Sequence, residues 1–126
     1  MTQRFTIQGR MAGANEINEA NRRNRYIGAK LEQREVLRAR AAIRQAALTP
    51  MRRPVLIGIE FFEPNRRRDP GNVFWADKPI LDALQEERII GNDNWSWLKG
   101  PEPIRKRIYH DPKSPRIVVI IKEVEA

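Results

Sequence analysis

The chain contains no cysteine, which removes disulfides, thiolate zinc sites, iron–sulfur clusters and cysteine nucleophiles together. Histidine occurs once, as His110, so a histidine-rich metal site has nothing to be built from. Any chemistry falls to carboxylates, Lys, Arg and hydroxyls. Long apolar runs are also missing: nothing approaches the roughly 18 residues of a membrane span, and Met1 to Gly13 is too polar for a signal peptide. A soluble, cytoplasmic protein without a membrane partner is expected, in which the Asn94-Trp95-Ser96 sequon is a chance match. No Rossmann glycine fingerprint, P-loop, internal repeat or low-complexity tail is present.

What is present is positive charge. Of 126 residues, 24 are Lys or Arg and 16 are Asp or Glu, a net charge of +8. Residues 1–53 hold twelve basic and four acidic residues, and residues 54–126 hold twelve of each. The whole surplus therefore lies in the first part. A surplus concentrated in this way points to a polyanion, most commonly nucleic acid; charge alone also fits a merely soluble basic protein. The length suits a single domain over residues 1–126.

Arg4 to Gly9 alternates apolar and polar residues and predicts a short strand with Phe5 and Ile7 on one face. The run from Asn15 to Arg25 is polar and carries no assignment. From about Ile27 to Leu48 the composition favours helix, with Val36, Ala39, Ile43 and Ala47 as a buried stripe. Arg34 and Arg38, and separately Arg40 and Arg44, sit four apart on other faces. This arginine comb fits a solvated face and phosphate contact equally. Val55 to Phe62 is the clearest strand, with Val55, Ile57, Ile59 and Phe61 facing one way, and Pro64 ends it. After a charged turn at Asn65–Asn72, a second helix starts near Asp77, because Pro79 is tolerated only in a first turn; Ile80, Leu81 and Leu84 form its apolar face. Ile104–Tyr109 and Arg116–Val124 read as closing strands. The order implies an α+β domain, a small mixed sheet with two main helices packed on it.

Without histidine or cysteine, phosphodiester hydrolysis relies on carboxylates holding Mg²⁺, a hard ion that activates water and neutralises the scissile phosphate. Two acidic positions have suitable neighbours: Asp69, after Arg66-Arg67-Arg68, and Asp93, in the Asn92-Asp93-Asn94 turn. Lys78 and Asp82 lie between them, four residues apart on one helix face. On spacing alone, ordinary turn chemistry is the better explanation of Asp69-Pro70-Gly71-Asn72 and of the turn at Asp93.

At these residues the chain resembles the RusA family of Holliday-junction resolvases, small endonucleases mostly of phage or prophage origin. The likeness is carried by Arg67-Arg68-Asp69 with Asn72, Lys78, Ile80-Leu81-Asp82-Ala83-Leu84 and Ile90-Gly91-Asn92-Asp93. Upstream it extends to Asn15-Glu16, Arg22-Arg23-Asn24-Arg25-Tyr26 and Ala29-Lys30, and downstream to Trp95 and Pro115-Arg116-Ile117-Val118, so it covers most of the chain. The resemblance implies a RusA-like fold and a Mg²⁺-dependent homodimer, with Mn²⁺ as a substitute, that nicks four-way DNA junctions symmetrically in a bacterial host's cytoplasm. A two-fold dimer matches a junction's approximate two-fold symmetry.

Carried over by position, Asp69 and Asp93 match metal-ligand carboxylates, and Lys78 a basic residue near the scissile phosphate. Asp82 matches an acidic residue that serves as a further ligand or as a partner for Lys78. Arg22, Arg23, Arg25, Lys30, Arg66, Arg67 and Arg68 fall to DNA phosphates, and Asn72 to a capping or orienting role. One departure stands out: the family's Asp-x-Asp-Asn reads Asp69-Pro70-Gly71-Asn72 here, so Gly71 stands where a second carboxylate belongs. That motivates a second reading, a silent branched-DNA-binding protein of the same fold. Charge alone motivates a third, an RNA- or ribosome-associated protein. Trp75, Trp95 and Trp97 suit base stacking, though core or interface anchoring is the commoner use of Trp95 and Trp97. His110 beside Asp111 reads as a surface turn residue.

Overall fold

The computed structural model describes residues 1–124. In chain order the elements are β1 (Thr2–Gln8), α1 (Ala14–Arg23), α2 (Arg25–Ala46), β2 (Val55–Glu63), α3 (Pro70–Phe74), α4 (Asp77–Glu86), β3 (Ile104–His110) and β4 (Arg116–Glu123). The strands form one mixed sheet in the order β1-β4-β2-β3. β4 runs antiparallel to both β1 and β2, and β2 pairs in parallel with β3. The two ends of the chain thus meet in one sheet, and the β2–β3 connection, which carries α3 and α4, is the crossover a parallel pair requires.

The alternation read from the sequence sets which face is buried. Val55, Ile57, Ile59 and Phe61 point inward on β2, Phe5 and Ile7 on β1, and Ile117, Val119 and Ile121 on β4. With Val36, Ala39 and Ile43 of α2 and Ile80, Leu81 and Leu84 of α4 they make one apolar cluster. Pro79 sits in the first turn of α4, as expected. The opposite sheet face is mixed and only partly shielded: Leu56, Val118 and Ile120 lie among charged residues, Arg116 sits above the Phe62 ring at 3.9 Å, and Phe62 stacks on Tyr109 at 4.9 Å between centroids.

Three expectations change. The polar run after Asn15 is helical: α1 buries only Ile17 and Ala20, and Glu16 and the pair Arg22 and Arg23 suit the two ends of its dipole. The sheet therefore carries three substantial helices rather than two. Ala47 does not extend the buried stripe, because α2 ends at Ala46 and Ala47 caps it in the left-handed conformation at φ 53°. Finally, the arginine comb is ion-paired within the chain, with Arg34 and Arg44 still largely exposed. Arg40 and Arg44 donate to Glu87 at 2.8 Å each, and these bonds, Arg44's first, hold the Glu87 carboxyl below its ordinary range.

On the other side of α2, Glu35 is fully buried. Its carboxylate accepts from the Ala12 backbone N–H at 2.9 Å, from Arg38 Nη1 at 3.0 Å and from Arg34 Nε at 3.2 Å. Arg38 also donates to the carbonyls of Gln8 at 2.8 Å and Arg10 at 2.9 Å. One carboxylate thereby pins α2 to the segment joining β1 to α1. The comb is a set of internal clamps.

Candidate active site

Of the three expected carboxylates, the fold brings two together. Asp82 lies on the second turn of α4, four residues after Lys78, and Asp93 stands on the exposed turn beyond that helix. Burial, foremost, raises the Asp82 carboxyl above its ordinary value; Lys78 pulls it down, and Asp93, Glu86 and Glu32 push it up. Asp82 and Asp93 therefore feel each other's charge, with Lys78 beside them. Lys78 Nζ is 3.4 Å from Glu32 of α2. Glu32 is the site residue that sequence reading missed, since no local motif marks one glutamate on a long charged helix.

Asp69 does not join them. It is exposed at the start of α3 and lines a separate cleft of about 350 Å³ with Glu63, Arg66, Tyr109 and His110. Among the described residues no three carboxylates or histidines form a metal-binding group. The donor set still fits Mg²⁺ in reduced form, because that ion is commonly held by one or two carboxylates together with substrate phosphates and waters.

The expected DNA-contacting cations divide in the same way. Arg22, Arg23, Arg25 and Lys30 are exposed around the α1–α2 corner, where Asn24 Oδ1 accepts from the Tyr26 N–H at 2.7 Å and fixes the bend. None of the four has an ion-pair partner among the described residues. Tyr26 is 78% exposed between them. Arg66 and Arg67 are likewise exposed. Arg68 is engaged internally: it donates to buried Glu63 at 2.7 and 3.0 Å and to the Met11 carbonyl at 2.9 Å.

Asn72 Oδ1 accepts from the Asn15 N–H at 2.9 Å in the first turn of α1. Gly13 permits this approach. A Cβ there would strike the Asn72 side chain, lie 2.8 Å from its carbonyl and 2.9 Å from Arg68 Nη1. Gly13→Ala is expected to cost about 1–3 kcal/mol, the usual penalty of overpacking, read as a lowered urea midpoint; an unchanged midpoint would show that the loop moves aside freely.

Gly71 behaves differently. Nothing lies within 4 Å of a Cβ built on it, and it occupies the first turn of α3, where a carboxylate is favourable to the helix dipole. Gly71→Asp should leave thermal stability within about 0.5 kcal/mol, and a larger loss in the urea midpoint would show that the start of α3 is tighter than this open space implies.

The turn bearing Asp93 is well anchored. Trp97 packs on Gly91, where a Cβ would come within 2.5 Å of its ring, and the Val55 N–H donates to the Trp97 carbonyl at 2.7 Å. Trp97 is thus an anchor, whereas Trp95 is 92% exposed and outside the core altogether. His110 is exposed at the end of β3. Asp111 turns away from it to Arg116, at 2.9 Å.

Comparison with protein-family models and with curated proteins finds no match to this chain. Among the described residues no helix is long and apolar enough to cross a membrane.

Proposed function

We propose that the protein is a metal-dependent, structure-selective DNA endonuclease of the RusA type, acting as a homodimer on four-way junctions. The observation that carries this reading is the placement of Asp82 one turn after Lys78 on α4, with Asp93 on the exposed turn that follows the helix. Asp82 is held against partial burial, which raises its carboxyl, and perturbed groups of this kind cluster at functional sites. The unpaired cations of the α1–α2 corner add to it. Two of them, Arg25 and Lys30, share α2 with Glu32, which reaches Lys78, so the helix bearing part of the basic surplus also borders the Lys78–Asp82 face.

Asp82 and Asp93 would hold the Mg²⁺, or Mn²⁺ in its place, and when bound the ion supplies an activated water and neutralises charge on the phosphate. The protein's own residues do the positioning. Lys78 offsets the negative field that would otherwise repel a phosphodiester. Arg22, Arg23, Arg25, Lys30, Arg66 and Arg67 supply phosphate contacts, which set register and orientation without reading sequence. Asp69, in its separate cleft, has no part in this site; an origin in a phage or prophage belongs to the same reading.

A labelled four-way junction incubated in Mg²⁺ and in Mn²⁺, with linear duplex as control, tests this. Paired symmetric nicks that disappear in Asp93→Asn are the expected result. Selective junction binding with no nicks in either metal would instead establish the silent binding protein that Gly71 suggests, and equal weak binding to every DNA would overturn both.

A further inference from the structure

We infer that Trp95 is a stacking platform for an unpaired nucleobase and the residue that confers preference for distorted DNA, an assignment that rests on the proposed endonuclease reading. Trp95 is 92% exposed, the most exposed of the large apolar side chains. Its exposure does not come from a loose segment. Asn94 Oδ1 accepts from the Ser96 N–H at 3.0 Å, and the Asn94 carbonyl accepts from Trp97 at 3.0 Å and Leu98 at 2.9 Å. Leu98 is buried and bridges to Val55 on β2. The turn is therefore closed on itself around Trp95 and tied to β2 through Leu98, and the indole projects into solvent.

Beside the ring runs a cleft of about 760 Å³ lined by Leu98, Lys99, Pro101 and Pro103. Its apolar walls suit the flat face of a base, and Lys99, exposed and without an ion-pair partner among the described residues, suits the attached phosphate. Asp93 is two residues away on the same turn. A base resting on Trp95 would thus bring its strand to the carboxylates. Paired duplex has no base free to occupy this platform, whereas a branch point or a bulge does. Stacking on aromatic side chains is indifferent to base identity, so the platform selects shape and leaves sequence unread. The unpaired Lys99 beside the ring favours an occupant that carries phosphate.

The test uses the full chain in chelator, so that binding is read without cleavage, with three DNAs: a four-way junction, a duplex with a three-nucleotide bulge and a fully paired duplex. 2-Aminopurine placed at the branch point or in the bulge reports stacking by quenching. Trp95→Ala should weaken junction and bulge binding about 5- to 100-fold, the equivalent of one to three stacking free energies of about 1 kcal/mol, and leave duplex binding within about two-fold. Quenching should vanish in Trp95→Ala and return in Trp95→Phe. Unchanged junction and bulge binding in the alanine variant, or equal loss on all three DNAs, would overturn the assignment. So would a shift from dimer to monomer in sedimentation, which would make Trp95 an interface residue. Failure of the wild-type protein to prefer the junction over duplex would count against the resolvase reading alone, because the bulge still tests Trp95.

Discussion

Glu35→Ala is expected to unfold the protein about 5–12 °C earlier than wild type, a loss of about 1–3 kcal/mol, because it leaves a buried backbone donor without its acceptor and the partly exposed Arg38 without its counter-charge. Glu35 is fully buried and is the common acceptor for Ala12, Arg34 and Arg38. Its removal leaves the Ala12 N–H without an acceptor in a buried segment and Arg38 without its counter-charge. Arg38 would keep its bonds to the carbonyls of Gln8 and Arg10, so the variant loses the helix tether before it loses the β1–α1 connection. Glu35→Gln retains an acceptor oxygen and should lose less. A double-mutant cycle with Arg38→Ala separates the alternatives: the double variant should be less destabilised than the two single losses added together, since neither partner is then left alone. Strict additivity would show that the pair is not coupled. The effect should be largest at α1, whose position depends on the Arg10–Ala12 segment and whose last turn carries Arg22 and Arg23. DNA affinity is thus expected to fall with stability near the midpoint and to recover on cooling.

The sheet was legible in the sequence because alternation is local. Val55 to Phe61 and Ile117 to Ile121 announce their buried face every second residue, and Pro79 fixes the start of α4 by what its ring forbids. Helix α1 was not, because only Ile17 and Ala20 mark its buried side and the rest of the run reads as loop. The arginine comb failed for a different reason. Spacing shows that Arg40 and Arg44 share a face, yet only the tertiary fold brings Glu86 and Glu87 of the α4 end opposite them. The same limit governs the site. Asp82 and Lys78 were placed together by helix periodicity, which is intrinsic to the segment. The approach of Asp93, the arrival of Glu32 from α2 and the separation of Asp69 all depend on how distant elements pack. Trp95 and Trp97 illustrate it within three residues: neighbours of one type, one fastening the turn and the other standing in solvent.

Asp82→Asn should move stability and activity in opposite directions. Burial and the neighbouring carboxylates raise the Asp82 carboxyl above its ordinary value of 3.8, against the pull of Lys78. The folded state therefore holds that proton more tightly than the unfolded chain does. In the window between the two values the folded state binds more protons, so stability falls as pH rises through it. The contribution is fully present below the ordinary value and is lost above the raised one. At neutral pH the ionised carboxylate is then a net burden, and an uncharged amide of the same shape relieves it. In chelator at pH 7, the variant should be more stable than wild type by a few tenths of a kcal/mol, the scale on which like-charge neighbours act. The gain should shrink as the pH is lowered toward 3.8. Nicking of a four-way junction in Mg²⁺ should meanwhile fall at least about 100-fold if the proposed function holds, because that reading makes Asp82 one of two ligating carboxylates and losing even an outer-shell partner costs about 10–100-fold. Junction affinity measured in chelator should hold or rise, since a negative charge beside the phosphate path has been removed. A variant that is less stable at pH 7, or that nicks at the wild-type rate, would show that Asp82 is held by contacts its charge supports and lies outside the reaction. The two outcomes together separate a carboxylate kept for chemistry from one kept for the fold.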